Sequence, residues 1–365
     1  MKQALLIIRW LVGLLFIFSG LVKVNDPLGL TYKMQEFFEV WGWFALDKYA
    51  LYLAIFMNVL EVVCGVALLL GQRMKFVTRL LLLLIIFFTF LTGYAFLSGK
   101  IKTCGCLGDC LPLTPLQSFL KDIVLLVLIV LLTINYKKLT STIKLRVADM
   151  LSLACVFFFT GIQWYVLNHL PFHDCLPYKV GNNIIEQMQK PKNYVPDSTT
   201  IIYQYTKNGK PIAFDQNNFP ADFDSTYIYV NRIDKLVKKG SNEPKIISFN
   251  LVNTNGVDTT NAVFSLPKYI MVLSNEYPSN YEKWHTDLLI TKAYCQKHQI
   301  PLFYVTSQSD EALQKIASDS ITILKCDATL IKTAARVNAT YFLMKQAKIV
   351  DKFSFEDFDK GLHEF

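Results

Sequence analysis

The sequence is poor in charge and lacks the motifs of the common enzyme classes. Charged residues make up only 18% of its 365 residues, against about a quarter in typical soluble domains. It has no glycine-rich phosphate loop, no HExxH motif and no GxSxG motif, so nucleotide, zinc-protease and serine-hydrolase chemistry find little support. Although the sequence has eight cysteines, no two of them form a CxxC pair.

Apolar residues are abundant instead, and most of the excess precedes residue 170. The hydrophobic fraction of 52% is too high for an ordinary soluble protein of this length. Runs of about 20 apolar residues can cross a bilayer as helices, and the sequence contains five: 4–24, 50–71, 76–97, 116–134 and 147–169. From Pro171 onward the composition is that of a soluble domain. We therefore predict an all-α transmembrane bundle of five spans, in contact with the lipid bilayer, followed by a soluble part.

The loops between the spans predict the orientation. Basic residues cluster at 73–79 and at 137–146, and short basic loops are retained in the cytoplasm. The N-terminus is then cytoplasmic, and the C-terminal part is periplasmic, in a cell inner membrane. The first run continues past Ser19-Gly20-Leu21 without a cleavage site, which indicates a retained helix. Because the net charge of +8 comes partly from these loops, we expect no nucleic-acid partner.

Three cysteines fall within seven residues, Cys104-Gly105-Cys106-Leu107-Gly108-Asp109-Cys110, between the third and fourth spans. A disulfide between Cys104 and Cys106 would be strained, and strained disulfides exchange more readily than relaxed ones. Lys100 and Lys102 precede the pair, and nearby positive charge favours the reactive thiolate. The pattern predicts a redox pair at Cys104 and Cys106.

Cys175, just after the fifth span, lies on the same side of the membrane as this loop. Four cysteines can pair in three ways. One arrangement combines a labile Cys104–Cys106 pair with a structural Cys110–Cys175 disulfide, and another makes Cys175 a resolving thiol. In a third interpretation all four cysteines only staple the helix ends. A zinc site completed by His173 or Cys175 fits the ligand number but not the usual spacing, so we expect no metal.

Two charged residues lie inside predicted spans, Arg9 in the first and Glu61 in the second. Such residues are costly in lipid, face the bundle interior and tend to pair. Either Arg9 contacts Glu61, or Arg9 extends its side chain to the cytoplasmic surface. Glu61 is the stronger functional candidate because it is too far from either end of its span to reach water. Lys23, Asn25 and Asp26 are expected to be ordinary solvated charges and amides at the membrane surface.

These motifs carry a resemblance to a known family. Phe18-Ser19-Gly20-Leu21-Val22-Lys23 with Asp26-Pro27, Glu61 followed by Gly71, and the CGC sequence with Gly108 resemble the DoxX-like, MauE-type membrane proteins of Bacteroidetes-like bacteria. The resemblance covers residues 1 to about 135 and implies a four-helix core, here with one further span. It also implies a role in periplasmic disulfide formation or protein maturation, with Cys104 and Cys106 as the redox pair and Glu61 as an intramembrane acid.

Residues 171–244 are predicted to form a periplasmic linker and a small β segment. The runs 200–205, 211–214 and 225–230 are rich in β-branched and aromatic residues. Asn208-Gly209 stands between the first two, and an Asn-Gly pair flanked by such runs predicts a β-hairpin.

Residues 245–365 alternate between strand-like and helix-like segments. Strands are predicted at 246–252, 268–274, 302–306, 321–325, 340–345 and 348–353, and helices at 280–298, 309–318 and 330–337. This order, ending in a hairpin and a short helix, predicts an α/β domain with parallel pairing in its first half. It resembles extracytoplasmic thioredoxin-like domains of the TlpA and peroxiredoxin type. The positions of the family's CxxC and cis-proline are 274–281 and 337–340 here, and both motifs are missing.

Two functions remain in view. One is thiol–disulfide exchange at an outward-facing CxC loop, with electrons passing to a quinone or to a periplasmic partner protein; the quinone rests on analogy with other membrane thiol oxidases. The other is a non-enzymatic membrane assembly or scaffold protein, with structural disulfides and a thioredoxin-like domain that only binds. Reactive thiols at the loop would favour the first function, and tolerance of Cys104→Ser would favour the second.

Overall fold

The computed structural model describes most of the chain, and all structural statements below refer to that part. The described residues are 2–101, 105, 107–139, 141, 143–196, 198–238, 240, 243–275, 281–307, 316 and 319–361. The predicted helix at 309–318 falls largely outside them. Three units follow one another along the chain: a helical membrane domain, a small sheet and an α/β domain.

Five long helices form the membrane domain: α1 (Lys2–Asn25), α3 (Ala50–Leu70), α4 (Met74–Ser98), α5 (Pro115–Ile134) and α6 (Leu145–Asn168). All five are long and apolar enough to cross a membrane, and every end lies within two residues of the prediction. Local capping features set the helix ends. Gly71 ends α3 with a left-handed φ of 73°, whereas Thr114 and Gln117 form a capping box at the start of α5.

The predicted loop 25–49 contains a sixth helix, α2 (Pro27–Trp41). It begins where the Asp26 side chain accepts a hydrogen bond from the backbone N–H of Gly29, with proline at its first position. At 15 residues it is too short to span a bilayer. Its apolar face packs on α3 and near the end of α4, at the end of the bundle that bears the cysteine loop. We call that end the loop side, and the cysteine loop is residues 104–110.

Small residues allow α1 and α3 to pack closely. A Cβ built on Gly65 of α3 would lie 2.8 Å from the carbonyl oxygen of Gly13 and 3.0 Å from the backbone nitrogen of Ile17, both in α1. Farther along α1, a Cβ on Gly20 would lie 3.0 Å from the backbone nitrogen of Val62. Close backbone approach at small residues is the usual way in which membrane helices associate, and here it brings the polar residues of α1 and α3 together.

The small sheet consists of β1 (Ser198–Lys207), β2 (Lys210–Asp215) and β3 (Tyr227–Lys238), in the order β2-β1-β3. The predicted hairpin is present, because β1 and β2 pair antiparallel across Asn208 and Gly209. Both turn residues have positive φ angles, 49° and 74°, as a type I′ turn requires.

The α/β domain has six strands in the order β4-β7-β6-β5-β8-β9. They are β4 (Val252–Asn253), β5 (Tyr269–Leu273), β6 (Leu302–Thr306), β7 (Thr322–Lys325), β8 (Thr340–Lys345) and β9 (Lys348–Ser354). The described helices of this region and of the segment before the small sheet are α7 (Ile184–Met188), α8 (Thr260–Ser265), α9 (Tyr281–His298), α10 (Ala328–Ala335) and α11 (Phe358–Gly361). Strands β5, β6 and β7 are parallel, as predicted, whereas β8 and β9 close the sheet antiparallel.

Two features of this domain differ from the prediction. The strand expected at 246–252 is reduced to the two residues of β4, because the preceding residues Ile246, Phe249 and Leu251 instead pack irregularly into the core. Part of the predicted linker also belongs to this core, since Leu176 and Ile184 are buried in it. The chain therefore passes directly from the end of the membrane domain into the core of the α/β domain.

We predict that Gly65→Ala destabilises the membrane domain by about 1–3 kcal/mol, because its methyl group meets backbone atoms of α1 that cannot move without separating the two helices. The measurement is thermal unfolding of the purified protein in detergent. Gly161→Ala in α6 is the matched control, since nothing lies within 4 Å of a Cβ there. An equal effect of the two substitutions would contradict the prediction.

Candidate functional site

The cysteine loop rests on the loop side of the membrane domain. Cys104 and Cys106, the predicted redox pair, lie outside the described residues, but Gly105 between them and 107–110 after them are described. A Cβ on Gly105 would lie 3.0 Å from Cγ of Lys33 in α2. One on Gly108 would lie 2.8 Å from Cγ1 of Val22 in α1. Both glycines have left-handed φ angles, 65° and 59°. The backbone conformation and the lack of space for a Cβ therefore both favour glycine at these positions.

A disulfide joins Cys110 of this loop to Cys175 after α6, with the two Cα atoms 4.8 Å apart. This is one of the pairings considered from the sequence, and it leaves Cys110 and Cys175 unavailable as zinc ligands. Among the described residues no group of three metal-binding side chains occurs. The segment carrying Cys175 is also held to α1, because the side-chain amide of Asn25 donates to the carbonyl of His173 at 2.8 Å. Whether Cys110 and Cys175 are structural or resolving stays a prediction.

A buried arginine connects the α/β domain to the cysteine loop. Arg336 follows α10, and its side chain is only 4% exposed. Its Nε donates to Oδ2 of Asp26 at 2.9 Å, and its Nη2 donates to Oδ2 of Asp109. The guanidinium also lies over the ring of Tyr32, 5.5 Å from the centroid. One cation thus contacts the corner between α1 and α2 as well as the cysteine loop.

Burial and neighbouring charges shift the pKa values of Asp26 and Arg336 in opposite directions. Burial raises the pKa of Asp26 above its ordinary value, although the neighbouring guanidinium of Arg336 works against that rise. Burial by itself lowers the pKa of Arg336, but the charges of Asp26 and Asp109 outweigh it and raise that pKa. Arg336 is therefore a fixed cation that compensates the charge of the largely buried Asp26.

A second ion pair lies beside the disulfide. Lys352 of β9 contacts the carboxylate of Asp174, next to Cys175, and its Nζ also donates to the carbonyl of Tyr178 at 3.3 Å. Burial lowers the pKa of Lys352, with Asp174 opposing that change. Near the end of α6, Nδ1 of His169 lies 2.7 Å from Oδ2 of Asp357. The α/β domain is therefore docked on the membrane domain at several polar points around Cys175.

Inside the membrane domain, Glu61 pairs with Lys23. Oε1 of Glu61 lies 2.5 Å from Nζ of Lys23, and the two side chains are 2% and 3% exposed. Oε2 of Glu61 accepts a hydrogen bond from the hydroxyl of Ser19 at 3.0 Å. The expectation that Lys23 is a solvated surface charge is therefore wrong, because its side chain extends back along α1 into the bundle.

The predicted contact between Arg9 and Glu61 is also wrong, as is the alternative that Arg9 reaches the surface. Arg9 is buried, and its guanidinium donates to the carbonyls of Leu68 at 2.7 Å and Leu69 at 2.5 Å. These carbonyls lie in the last turn of α3, where backbone oxygens carry partial negative charge. They are seven and eight residues beyond Glu61, which is about 10–12 Å along a helix, so Arg9 is too far from the carboxylate.

The polar interior extends to α5 and α6 through further polar side chains. Asn58, one turn from Glu61, donates to the side-chain oxygen of Gln163 in α6 at 3.0 Å. In α5, Asp122 is 1% exposed and accepts from the hydroxyl of Thr92 at 3.0 Å. Asp122 also lies 2.7 Å from Nζ of Lys121. An acid within an apolar run is a visible signal of a functional site, so Asp122 could have been recognised.

Two cavities lie near this region, and Leu107 of the cysteine loop lines the smaller one. One, of about 100 Å³, lies within the membrane domain and is lined by Lys23, Glu61, Asp122 and Leu107, among others. The other, of about 540 Å³, lies between the membrane and α/β domains and is lined by Tyr32, Asn275, Arg336 and Asn338, among others.

The larger cavity borders the place where the sequence lacks the CxxC and cis-proline motifs. Asn338 accepts hydrogen bonds from the hydroxyl of Ser274 at 2.8 Å and from the backbone N–H of Asn275 at 3.0 Å. The peptide bond between Asn338 and Ala339 is cis. The described part of this region carries amides where a redox site would carry thiols.

Three of the four remaining cysteines are poor candidates for chemistry. Cys64, Cys295 and Cys326 are buried, and burial raises the pKa of the thiols of Cys295 and Cys326 to about 12. Such thiols are almost never ionised at neutral pH and behave as small apolar side chains.

Parts of the chain are similar to known proteins. Residues 1–135 match the family described as methylamine utilisation protein MauE, and residues 198–239 match a domain of unknown function, DUF8463. The chain is 31% identical over 131 residues to Protein TlpB of Flavobacterium psychrophilum. That match covers 34% of this chain and 35% of TlpB, so the chain spans about a third of the length of this curated relative. No solved structure matches the chain.

We predict that Arg336→Gln loosens the α/β domain from the membrane domain, because it removes the cation that pairs with the largely buried carboxylate of Asp26 and with the more exposed carboxylate of Asp109. Removing one partner of a buried ion pair typically costs about 3–5 kcal/mol. The measurement is the rate at which a protease releases the α/β domain from detergent-solubilised protein.

Lys332→Gln is the matched control, since it removes the same charge from α10, one turn before Arg336, at an exposed side chain. Equal release rates from both variants would show that the Arg336 cluster does not hold the domains together.

Proposed function

We propose that this multi-pass membrane protein, whose first 135 residues are of the MauE type, performs thiol–disulfide exchange at Cys104 and Cys106. In this proposal it lies in the inner membrane with its N-terminus in the cytoplasm, and its cysteine loop and α/β domain face the periplasm. One observation is the main support for this proposal. Because Cys110 and Cys175 are bonded to each other, the remaining two of the four loop-side cysteines form the exchange pair.

The reaction proceeds in two sulfur displacements. A thiolate of a substrate dithiol attacks one sulfur of the Cys104–Cys106 disulfide, that bond breaks, and the other cysteine leaves as a thiolate. The second substrate thiolate then attacks the mixed disulfide, so the substrate gains a disulfide and the pair gains two electrons and two protons. Lys100, just before the loop, favours the leaving thiolate. Reoxidation requires a two-electron acceptor, either a quinone or the disulfide of a partner protein.

The α/β domain supplies binding in this proposal. Its order of parallel strands followed by an antiparallel hairpin supports a thioredoxin-like domain at 245–365 that has no cysteine pair. Its strand ends border the cavity between the domains, and its Arg336 contacts Asp109 of the cysteine loop. A periplasmic protein bound there lies beside the exchange pair.

The second candidate function is a scaffold without redox turnover. It is favoured by the number of fixed contacts around Cys175, which include a disulfide and a buried ion pair. In that case Cys104 and Cys106 remain in one state, and the cavity between the domains serves assembly alone.

We predict that Cys104 and Cys106 change between thiol and disulfide in intact cells, whereas Cys110 and Cys175 stay bonded. The physical reason is that a bond between cysteines one residue apart is strained and easily exchanged. The measurement is differential alkylation with mass spectrometry, before and after a mild dithiol.

Cys104→Ser and Cys295→Ser form the matched pair of variants for this experiment. Cys104→Ser should abolish oxidation of a reduced reporter protein, and Cys295→Ser, at a buried thiol, should leave it intact. If all four loop-side cysteines keep one fixed state and Cys104→Ser changes nothing, the scaffold function replaces the enzyme.

A further inference from the structure

An open cavity lined by cations lies at the end of the bundle opposite the loop side. Its volume is about 550 Å³, and it is bounded by the start of α4 and by the short 3₁₀ helix Tyr136–Lys138 that follows α5. Of the described residues that line it, Arg73, Lys75 and Arg79 are cations and none is acidic. Sites for small molecules typically have volumes of about 300–1,000 Å³. The cavity therefore has the size and the charge of a site for an anionic ligand.

Two of the three cations carry a charge that no carboxylate compensates. Arg73 pairs with Asp149, since its Nη2 lies 2.9 Å from Oδ2 of that carboxylate. Lys75 and Arg79 are exposed, and among the described residues neither side chain has an ion-pair or hydrogen-bond partner. Because they are four residues apart, they lie on one face of α4. The cavity thus presents two neighbouring positive charges to whatever occupies it.

Helix stability does not explain cations at these positions. The N-terminal end of a helix carries partial positive charge, so acidic residues are favoured there, yet the first turn of α4 contains none. Like charges four residues apart on a helix also repel each other. Retention of basic loops in the cytoplasm accounts for basic residues anywhere at this end, but not for their convergence on one cavity. An anion bound between Lys75 and Arg79 would relieve both unfavourable interactions.

The depth of the two residues in the membrane indicates the kind of anion. Helix α4 has 25 residues and is about 37 Å long, whereas the hydrocarbon core of a bilayer is about 30 Å thick. Its first turn, with Lys75, therefore lies among the lipid headgroups. Arg79 is about 7.5 Å farther along the helix than Met74, but long helical side chains lean toward the N-terminus and extend their charge to the interface. Both cations are thus at the level of the phospholipid phosphates.

The geometry points to this cavity as a binding site for an anionic phospholipid, with the lipid phosphate between the two unpaired cations. The rest of the lining fits the rest of such a molecule. Phe76, which is 64% exposed, Met74 and Leu139 give the cavity an apolar wall for the glycerol backbone and the start of the acyl chains. Tyr136 also lines the cavity, and a phenol hydroxyl can donate a hydrogen bond to a phosphate oxygen. The inference is independent of the proposed thiol chemistry, because this site is at the other end of the membrane domain.

The test is native mass spectrometry of the full-length protein, released from nanodiscs that contain phosphatidylglycerol and phosphatidylcholine in equal amounts. We expect the wild type to retain at least fivefold more phosphatidylglycerol than phosphatidylcholine. Arg79→Gln and Lys75→Gln should each lower that ratio at least threefold, because each removes one of the charges that face the phosphate. Arg146→Gln is the matched control and should retain lipid as the wild type does. It removes an exposed cation from the first turn of α6, at the same end of the bundle, from a residue that does not line the cavity.

Three results would overturn the inference. An equal lipid ratio in all four proteins would show that lipids around the bundle exchange without a site. A loss in Arg146→Gln as large as that in Arg79→Gln would show that the cations act only through the net charge of this end. Displacement of phosphatidylglycerol by millimolar inorganic phosphate would make the ligand a free phosphate. A ratio that falls only in the two cavity variants, and that resists inorganic phosphate, supports the lipid site whether or not Cys104 and Cys106 exchange.

Discussion

The arrangement of this protein depends on one buried cation. The guanidinium of Arg336 is 4% exposed, and withdrawing such a charge from water costs several kcal/mol unless carboxylates compensate it. Its carboxylates, Asp26 and Asp109, come from two different loops of the membrane domain. Arg336 therefore links the corner before α2, the described Asp109 of the cysteine loop and the α/β domain through one buried cation.

A second buried charge cluster lies on the other side of the same loop. Lys23 and Glu61 meet within the helices, and Leu107 borders the cavity that they line. Of the described residues of the cysteine loop, Asp109 contacts Arg336, Leu107 borders the cavity beside the Lys23–Glu61 pair, and Cys110 is bonded to Cys175. Arg9 takes no part, because it compensates the carbonyl ends of α3 at the opposite end of the bundle. Polar contacts are therefore concentrated where the two predicted redox cysteines are attached.

Constraints that act locally could be predicted from the sequence, and partners set by the fold could not. The spans follow from the thickness of a bilayer, and the hairpin at Asn208 follows from the φ angles that its turn requires. Helix α2 was missed although Leu30, Met34, Phe37 and Phe38 are spaced as one helical face, because its length does not reach across a membrane. Nothing in the local sequence marks Lys23 as the partner of Glu61, or Arg336 as the partner of two carboxylates hundreds of positions earlier in the chain.

This arrangement suggests a physical reason for the absence of a CxxC motif from the α/β domain. Thiol exchange needs an attacking sulfur in line with a disulfide, whereas recognition of a protein substrate needs surface. Here the described end of β5 carries Asn275, hydrogen-bonded to Asn338 beside a cavity of about 540 Å³. The predicted redox cysteines are in the loop that Arg336, on the wall of the same cavity, contacts through Asp109. Under the function that we propose, the α/β domain needs no thiols of its own, because it would bind the substrate while the membrane domain supplies the exchange pair.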